Sequence, residues 1–152
     1  LKNSASAHIV NVSSLFGLLS LPLQSAYNSS KFAVKGFTES LKMEMAGSNV
    51  SVHCIHPGGI KTNITNNAKI ASVHVSKSQI LADFNKQAKT TAEQAADIIL
   101  KGVSENKRRI LVGGDAKLLD RIVRWFPDNY EKILGFEKGV INKRKIDNET
   151  TQ

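Results

Sequence analysis

The stretch His8-Ile9-Val10-Asn11-Val12-Ser13-Ser14 decides how this chain folds. Its first five residues are short, rich in β-branched side chains and nearly continuous in apolar character, as expected of a strand buried on both faces. Residues 13–23 read as a loop punctuated by Gly17 and Pro22. A long helix then runs from about 24 to 46. Phe32, Ala33, Phe37, Leu41 and Met45 recur on it at helical spacing until Gly47-Ser48-Asn49 stops it. Val50-Ser51-Val52-His53-Cys54-Ile55 is a second strand, ended by Pro57-Gly58-Gly59.

Residues 62–89 are polar and weakly periodic, an excursion with short helices. Thr90-Thr91-Ala92-Glu93 has the form of a capping box, with Thr90 and Glu93 satisfying each other's free amides. It opens a helix to about Asn106, with Ala95, Ala96, Ile98, Ile99 and Val103 apolar. Arg109-Ile110-Leu111-Val112 is a third strand closed by Gly113-Gly114, and Asp115 caps a further helix through Phe126. Beyond Leu134 the chain turns polar and lysine-rich, so residues 1–135 form the folded part and 136–152 a disordered basic tail. Strands alternating with helices predict an α/β parallel sheet with helical crossovers. Three strands leave a raw sheet edge, so the reading is of the C-terminal part of something larger.

Composition bounds the alternatives. The 152 residues are 41% hydrophobic and 22% charged, as in one soluble globular domain. No apolar run approaches the roughly 20 residues needed to cross a bilayer. Leu1-Lys2-Asn3-Ser4 has neither an initiator Met nor the regions of a signal peptide, and reads as a chain cut from a longer protein. The single cysteine, Cys54, excludes an internal disulfide and fits a reducing, cytoplasmic setting. The net charge of +8 invites a nucleic-acid reading, but the basic residues are not interleaved with aromatics and no recognised module is present. A solvated basic surface accounts for them.

Chemistry concentrates at Ser14, Tyr27 and Lys31. If a helix starts near Gln24, Tyr27 and Lys31 lie one turn apart on one face. A phenol is a poor acid–base catalyst near neutrality unless a neighbouring cation favours the phenolate. Ser14, at the end of the preceding strand, can hydrogen-bond the same substrate oxygen. Other groups fit worse. His53 and His56 look like a metal pair but face opposite sides of an extended strand, so no metal site is expected. Ser14 lacks the Gly-x-Ser-x-Gly elbow of a hydrolase nucleophile. The segment from Lys117 to Phe126 is apolar at Leu118, Leu119, Ile122, Val123, Trp125 and Phe126 and is flanked by Lys117, Arg121 and Arg124. It suits a membrane-surface helix (residues 115–126), or one packed on its own sheet or a partner subunit with basic side chains at the rim.

Three separated motifs occur in order: Asn11-Val12-Ser13-Ser14 with Gly17 after a buried strand, then Ala26-Tyr27-Asn28-Ser29-Ser30-Lys31, then a strand running into Pro57-Gly58-Gly59-Ile60-Lys61-Thr62. Together they resemble the short-chain dehydrogenase/reductase family, over the C-terminal half of its catalytic domain, from roughly Ile9 to Val112. The resemblance implies a Rossmann-like doubly wound sheet, of which this chain holds about three strands and their crossover helices. It implies NAD or NADP as cofactor and a small-molecule carbonyl or alcohol as substrate. Ser14, three residues before Gly17, is then the serine that polarises the substrate oxygen. Tyr27 is the acid–base residue, and Lys31 favours its phenolate and holds the nicotinamide ribose. Pro57, Gly58, Ile60 and Thr62 line the nicotinamide, and a bare Gly58 admits close approach of a flat ring. Family members pair through the long helix, so a homo-oligomer through residues 24–46 is expected.

The family's glycine-rich loop, its Asn-Ala-Gly segment and its catalytic asparagine do not appear in these residues, so the stretch alone is expected to bind cofactor weakly and turn nothing over. Ile64, Ile70, Val73, Val75, Ile80, Leu81 and Phe84 in the excursion point to an apolar substrate. The alternative reading is a non-catalytic protein of the same fold that acts by association or membrane contact.

Overall fold

A computed structural model describes residue 1 and residues 3–22, 24–62 and 88–135. The excursion's apolar residues 64–84 and the basic tail 136–152 lie outside the described residues.

Strand β1 (Ala7–Val12) pairs in parallel with β2 (Val50–Pro57), which pairs in parallel with β5 (Arg109–Val112), in the order β1-β2-β5. The first strand starts one residue earlier than the sequence pattern indicates, because the Ala7 amide donates to the Asn49 carbonyl at 3.0 Å. The second runs on through Pro57, opposite Val112. Two short strands absent from the sequence reading, β3 (Ile60–Lys61) and β4 (Thr90–Thr91), pair in parallel and close the base of the excursion.

Helix α1 (Ser25–Glu44) links β1 to β2, and α2 (Ala92–Ser104) precedes β5. Thr38 of α1 accepts from Asn11, so α1 covers the face that carries Asn11 and its partner Cys54. Helix α2 covers the opposite face, where Ile55, Ile110 and Val112 form a core with Ala95, Ile98, Ile99 and Val103. Both connections step one strand in the same direction, so helices on opposite faces give the two crossovers opposite hands, and one departs from the usual right-handed rule. Helix α3 (Gly114–Trp125) returns to the α1 side. There Leu111, Ala116, Leu119 and Val123 pack with Leu15, Leu19 and Tyr130, the last from the short helix α4 (Tyr130–Ile133).

Three local expectations change. The capping box is one residue later: the helix starts at Ala92, so Thr91 accepts from the Gln94 amide at 3.2 Å and the Gln94 side-chain oxygen accepts from the Thr91 amide at 3.0 Å. The N-cap of α3 is Gly113, at φ +103°, and Asp115 reaches out of the helix instead of capping it. Only part of the apolar stripe of α1 is covered: Leu41 and Met45 are half-buried, while Phe32, Ala33 and Phe37 are exposed. The buried residues of the helix are Asn28 and Thr38. Thr38 can pack there because its hydroxyl is bonded: it donates to the Val34 carbonyl at 2.6 Å and accepts from Asn11 at 3.1 Å, whereas the buried Asn28 Oδ1 has no hydrogen-bond partner.

Candidate active site

Ligands of open α/β sheets bind outside the carboxyl ends of the strands, and the sequence-derived residues gather there. Ser13 follows β1, donates its amide to the Ile55 carbonyl at 2.9 Å and its hydroxyl to the Lys31 carbonyl at 2.8 Å. Buried and committed, it ties the strand end to α1. Ser14 adopts an extended conformation and caps the 3-10 turn Leu15–Gly17, accepting from the Phe16 amide at 3.1 Å. That bond uses a lone pair, so the Ser14 O–H remains able to donate. The turn lies close against α1: a Cβ on Gly17 would stand 2.7 Å from the Lys31 carbonyl oxygen.

Tyr27 and Lys31 lie in the first two turns of α1. The Phe16 ring meets the Tyr27 ring edge-on, centroids 6.1 Å apart at 82°. The Lys31 ammonium stands 5.6 Å from the Tyr27 ring centroid and donates to the Val12 carbonyl at 3.4 Å. Tyr27 is 42% exposed, so its ring is open to a ligand. Between them Asn28 is buried and donates to the Leu21 carbonyl at 2.9 Å, fixing the preceding loop on the helix.

Pro57 and Gly58 lie at the carboxyl end of β2, beside the Ser14 turn; Ile60 opens β3, and Thr62 is exposed just beyond it. The Gly58 amide donates to the Val112 carbonyl at 2.9 Å. The reason for glycine at 58 is internal. A Cβ there would fall 2.5 Å from Asp115 Cγ and closer still to both carboxylate oxygens. Asp115 accepts from the Gly59 amide at 2.6 Å.

His53 and His56, alternating on β2, bond different neighbours. His53 Nδ1 lies 2.7 Å from the Lys107 carbonyl, which can only accept, so His53 Nε2 accepts from His8 Nδ1 at 2.9 Å. His56, fully buried, donates from Nδ1 to the Ser14 carbonyl at 3.0 Å, and its Nε2 has no hydrogen-bond partner. Burial pushes its imidazole below the ordinary histidine range, against the opposing pull of the Ser14 carbonyl. Among the described residues, no cluster of three or more His, Cys, Asp or Glu could hold a metal ion. His56 and Asp115 escaped the sequence reading as site residues. The only hint was a histidine and paired glycines at one strand end, with paired glycines and an aspartate at the next.

Residues 1–72 match the family described as short chain dehydrogenase. The SadH protein of Mycobacterium tuberculosis is 44% identical over 135 residues, 86% of this chain and 48% of that protein. This chain belongs to the short-chain dehydrogenase/reductase family. A second relative, dehydrogenase/reductase SDR family member 7B of Xenopus tropicalis, is 36% identical over 107 residues, 70% of this chain and 34% of that protein. Among solved structures, a short-chain dehydrogenase/reductase from Burkholderia phymatum in complex with NAD superposes with a TM-score of 0.63 at 29% identity, covering 81% of this chain and 48% of its own. The chain thus spans about half the length of SadH. The sheet described above is the carboxyl-terminal part of this family's Rossmann fold.

Proposed function

We propose that these residues are the proton-transfer half of an NAD(P)-dependent oxidoreductase that interconverts a carbonyl and an alcohol. The observation that carries the proposal is the convergence of a Ser14 hydroxyl whose recorded bond, from the Phe16 amide, leaves its proton able to donate, an accessible Tyr27 and the Lys31 ammonium at the carboxyl end of β1, beside Pro57 and Gly58. The donor set fits a nicotinamide nucleotide. Lys31 spends one N–H on Val12 and keeps two for ribose hydroxyls, while the segment Pro57–Thr62 leaves the carboxyl end of β2. When bound, the dinucleotide supplies or accepts the hydride at the substrate carbon. Tyr27 gives its proton to the substrate oxygen in reduction and takes one back in oxidation, Lys31 stabilises the phenolate between these events, and Ser14 donates to the same oxygen.

In the full-length protein Tyr27→Phe should abolish turnover, a loss of about 10²-fold or more, and spare cofactor binding. Near-wild-type kcat in that variant would overturn the assignment. The glycine-rich loop is not among these 152 residues, so the isolated chain should bind NADH or NADPH weakly; tight binding in a fluorescence titration would contradict this. The exposed Phe32, Phe37 (63%) and Met43 on α1 support pairing with a second copy through that helix. A buried free Cys54 suits a cytoplasmic setting.

A second reading concerns α3. Lys117, Leu118, Arg121, Arg124 and Trp125 share its outer stripe, with Trp125 76% exposed, while the acid Asp120 is buried and paired with Arg109 and Arg124. Interleaved cations and apolar rings suit an anionic bilayer surface. Absence of salt-sensitive sedimentation with anionic liposomes would remove this reading.

A further inference from the structure

The carboxylate of Asp115 occupies the corner where β2 and β5 end, and three glycines surround it. Its Oδ2 accepts from the Gly59 amide at 2.6 Å. The three nearest atoms to a Cβ placed on Gly58 all belong to its side chain, with Cγ at 2.5 Å. A Cβ on Gly113 would press on Asp115 Oδ1 and approach Thr90 Oγ1 to 3.2 Å, and Gly113 itself sits at φ +103°. The backbone at both strand ends is therefore left bare around one side chain. This is not a helix cap: α3 begins at Gly114 with no side-chain cap, and the carboxylate bonds an amide 56 residues away.

We propose that Asp115 is a positioning residue that sets the course of the segment Pro57–Thr62, and through it the fit of the cofactor. The inference rests on the reading of that segment as nicotinamide-facing. The carboxylate is a charged acceptor fixed by the first turn of α3, where the helix dipole favours it. Gly59 is the second of the two residues, after Gly58, between the end of β2 and the start of β3. Its φ/ψ freedom would otherwise let Ile60, Lys61 and Thr62 leave β2 in several directions. Pinning its amide selects one. Gly58, held on its other side by the Val112 carbonyl, completes the corner.

The experiment uses the full-length enzyme and steady-state kinetics with varied NAD(H) or NADP(H). Asp115→Ala should raise the KM for dinucleotide about tenfold, the scale of one charge-assisted hydrogen bond, and change kcat less. Asp115→Asn keeps an acceptor oxygen and should recover most of that loss. A double-mutant cycle separates positioning from general loss of structure. Gly58→Ala alone should be severely impaired, whereas in the Asp115→Ala background the same change should add little, because the atoms it strikes are gone. Additive effects in that cycle, or an Asp115→Ala enzyme with wild-type dinucleotide KM and only a lower melting temperature, would overturn the proposal. Thr62→Ala is the control for the underlying reading. If Thr62→Ala raises dinucleotide KM and Asp115→Ala does not, the positioning role fails alone. If neither does, the cofactor reading of the segment fails with it.

Discussion

Gly17→Ala perturbs the close approach of the serine turn to helix α1. The added Cβ would stand 2.7 Å from the Lys31 carbonyl oxygen and 3.1 Å from its carbon, and inside contact distance of the Ser13 hydroxyl. The Ser13 side chain could rotate away, but the Lys31 carbonyl belongs to the helix backbone and cannot. Overpacking of this kind costs about 1–3 kcal/mol. Stretching the buried Ser13–Lys31 hydrogen bond removes roughly another 1 kcal/mol. Alanine recovers about 0.4–1 kcal/mol by restricting the unfolded chain. The net expectation is a loss of about 1–3 kcal/mol. The turn must also retreat by roughly half an ångström, carrying Ser14 away from Tyr27; since a misplacement of about 1 Å can cost 10²-fold, kcat should fall about tenfold. Urea unfolding of the full-length protein measures the first quantity and steady-state turnover the second. Ser13→Ala/Gly17→Ala should not rescue either, because the Lys31 carbonyl remains. Wild-type stability and turnover in Gly17→Ala would refute the reasoning, since no relaxation that leaves both the turn and α1 in place accommodates the methyl group.

Other substitutions probe separate links. Lys31→Ala in the full-length enzyme should weaken dinucleotide affinity and lower kcat together; an effect on neither would remove its double role. His56 should make stability fall as pH drops below about 6.5, where the unfolded imidazole takes a proton that the buried native ring refuses, at up to about 1.4 kcal/mol per pH unit until the native pKa is reached. His56→Asn, which keeps a donor near the Nδ1 position, should flatten that limb of the urea-midpoint profile; an unchanged slope would show that another group carries it. Thr91→Ala should cost about 1 kcal/mol of stability as a lost helix cap, and Thr90→Ala distinctly less, which denaturant midpoints resolve.

Local signals were legible where one segment decides its own structure. Arg109–Val112 lies where its β-branched run ends at paired glycines, and the long helix ends at Glu44, three residues ahead of Gly47, which sits at φ +81°. Partners distant in sequence were not legible. Thr90 and Thr91 are interchangeable as capping residues until the helix is seen to start at Ala92, which makes Thr91 its N-cap. Asp115 looks like a cap until Gly59 is placed beside it. Spacing showed that α1 has an apolar stripe, but not which side faces the sheet. That was settled by Thr38 meeting Asn11, two polar residues 27 positions apart whose bond no periodicity reveals. At the candidate site, motif order placed Ser14, Tyr27 and Lys31. The supporting bonds from Ser13 to the Lys31 carbonyl and from His56 to the Ser14 carbonyl depend on the packing of α1 and β2.

Strand β1 is tied on one side to β2, and its amides divide accordingly. Ala7 and Ser13 donate to Asn49 and Ile55, so by strand alternation Ile9 and Asn11 face β2 as well, while His8, Val10 and Val12 face away. Among the described residues no strand meets that second row, and Val12 offers its carbonyl there to Lys31. Deuterium exchange read residue by residue should therefore alternate along β1, slow at odd positions and fast at even ones, in the isolated 152 residues. A neighbouring strand supplied by the rest of a longer protein would slow the even positions and erase the alternation. The exchange pattern of seven residues thus reports whether a further strand lies along the open edge of the sheet beside the candidate site.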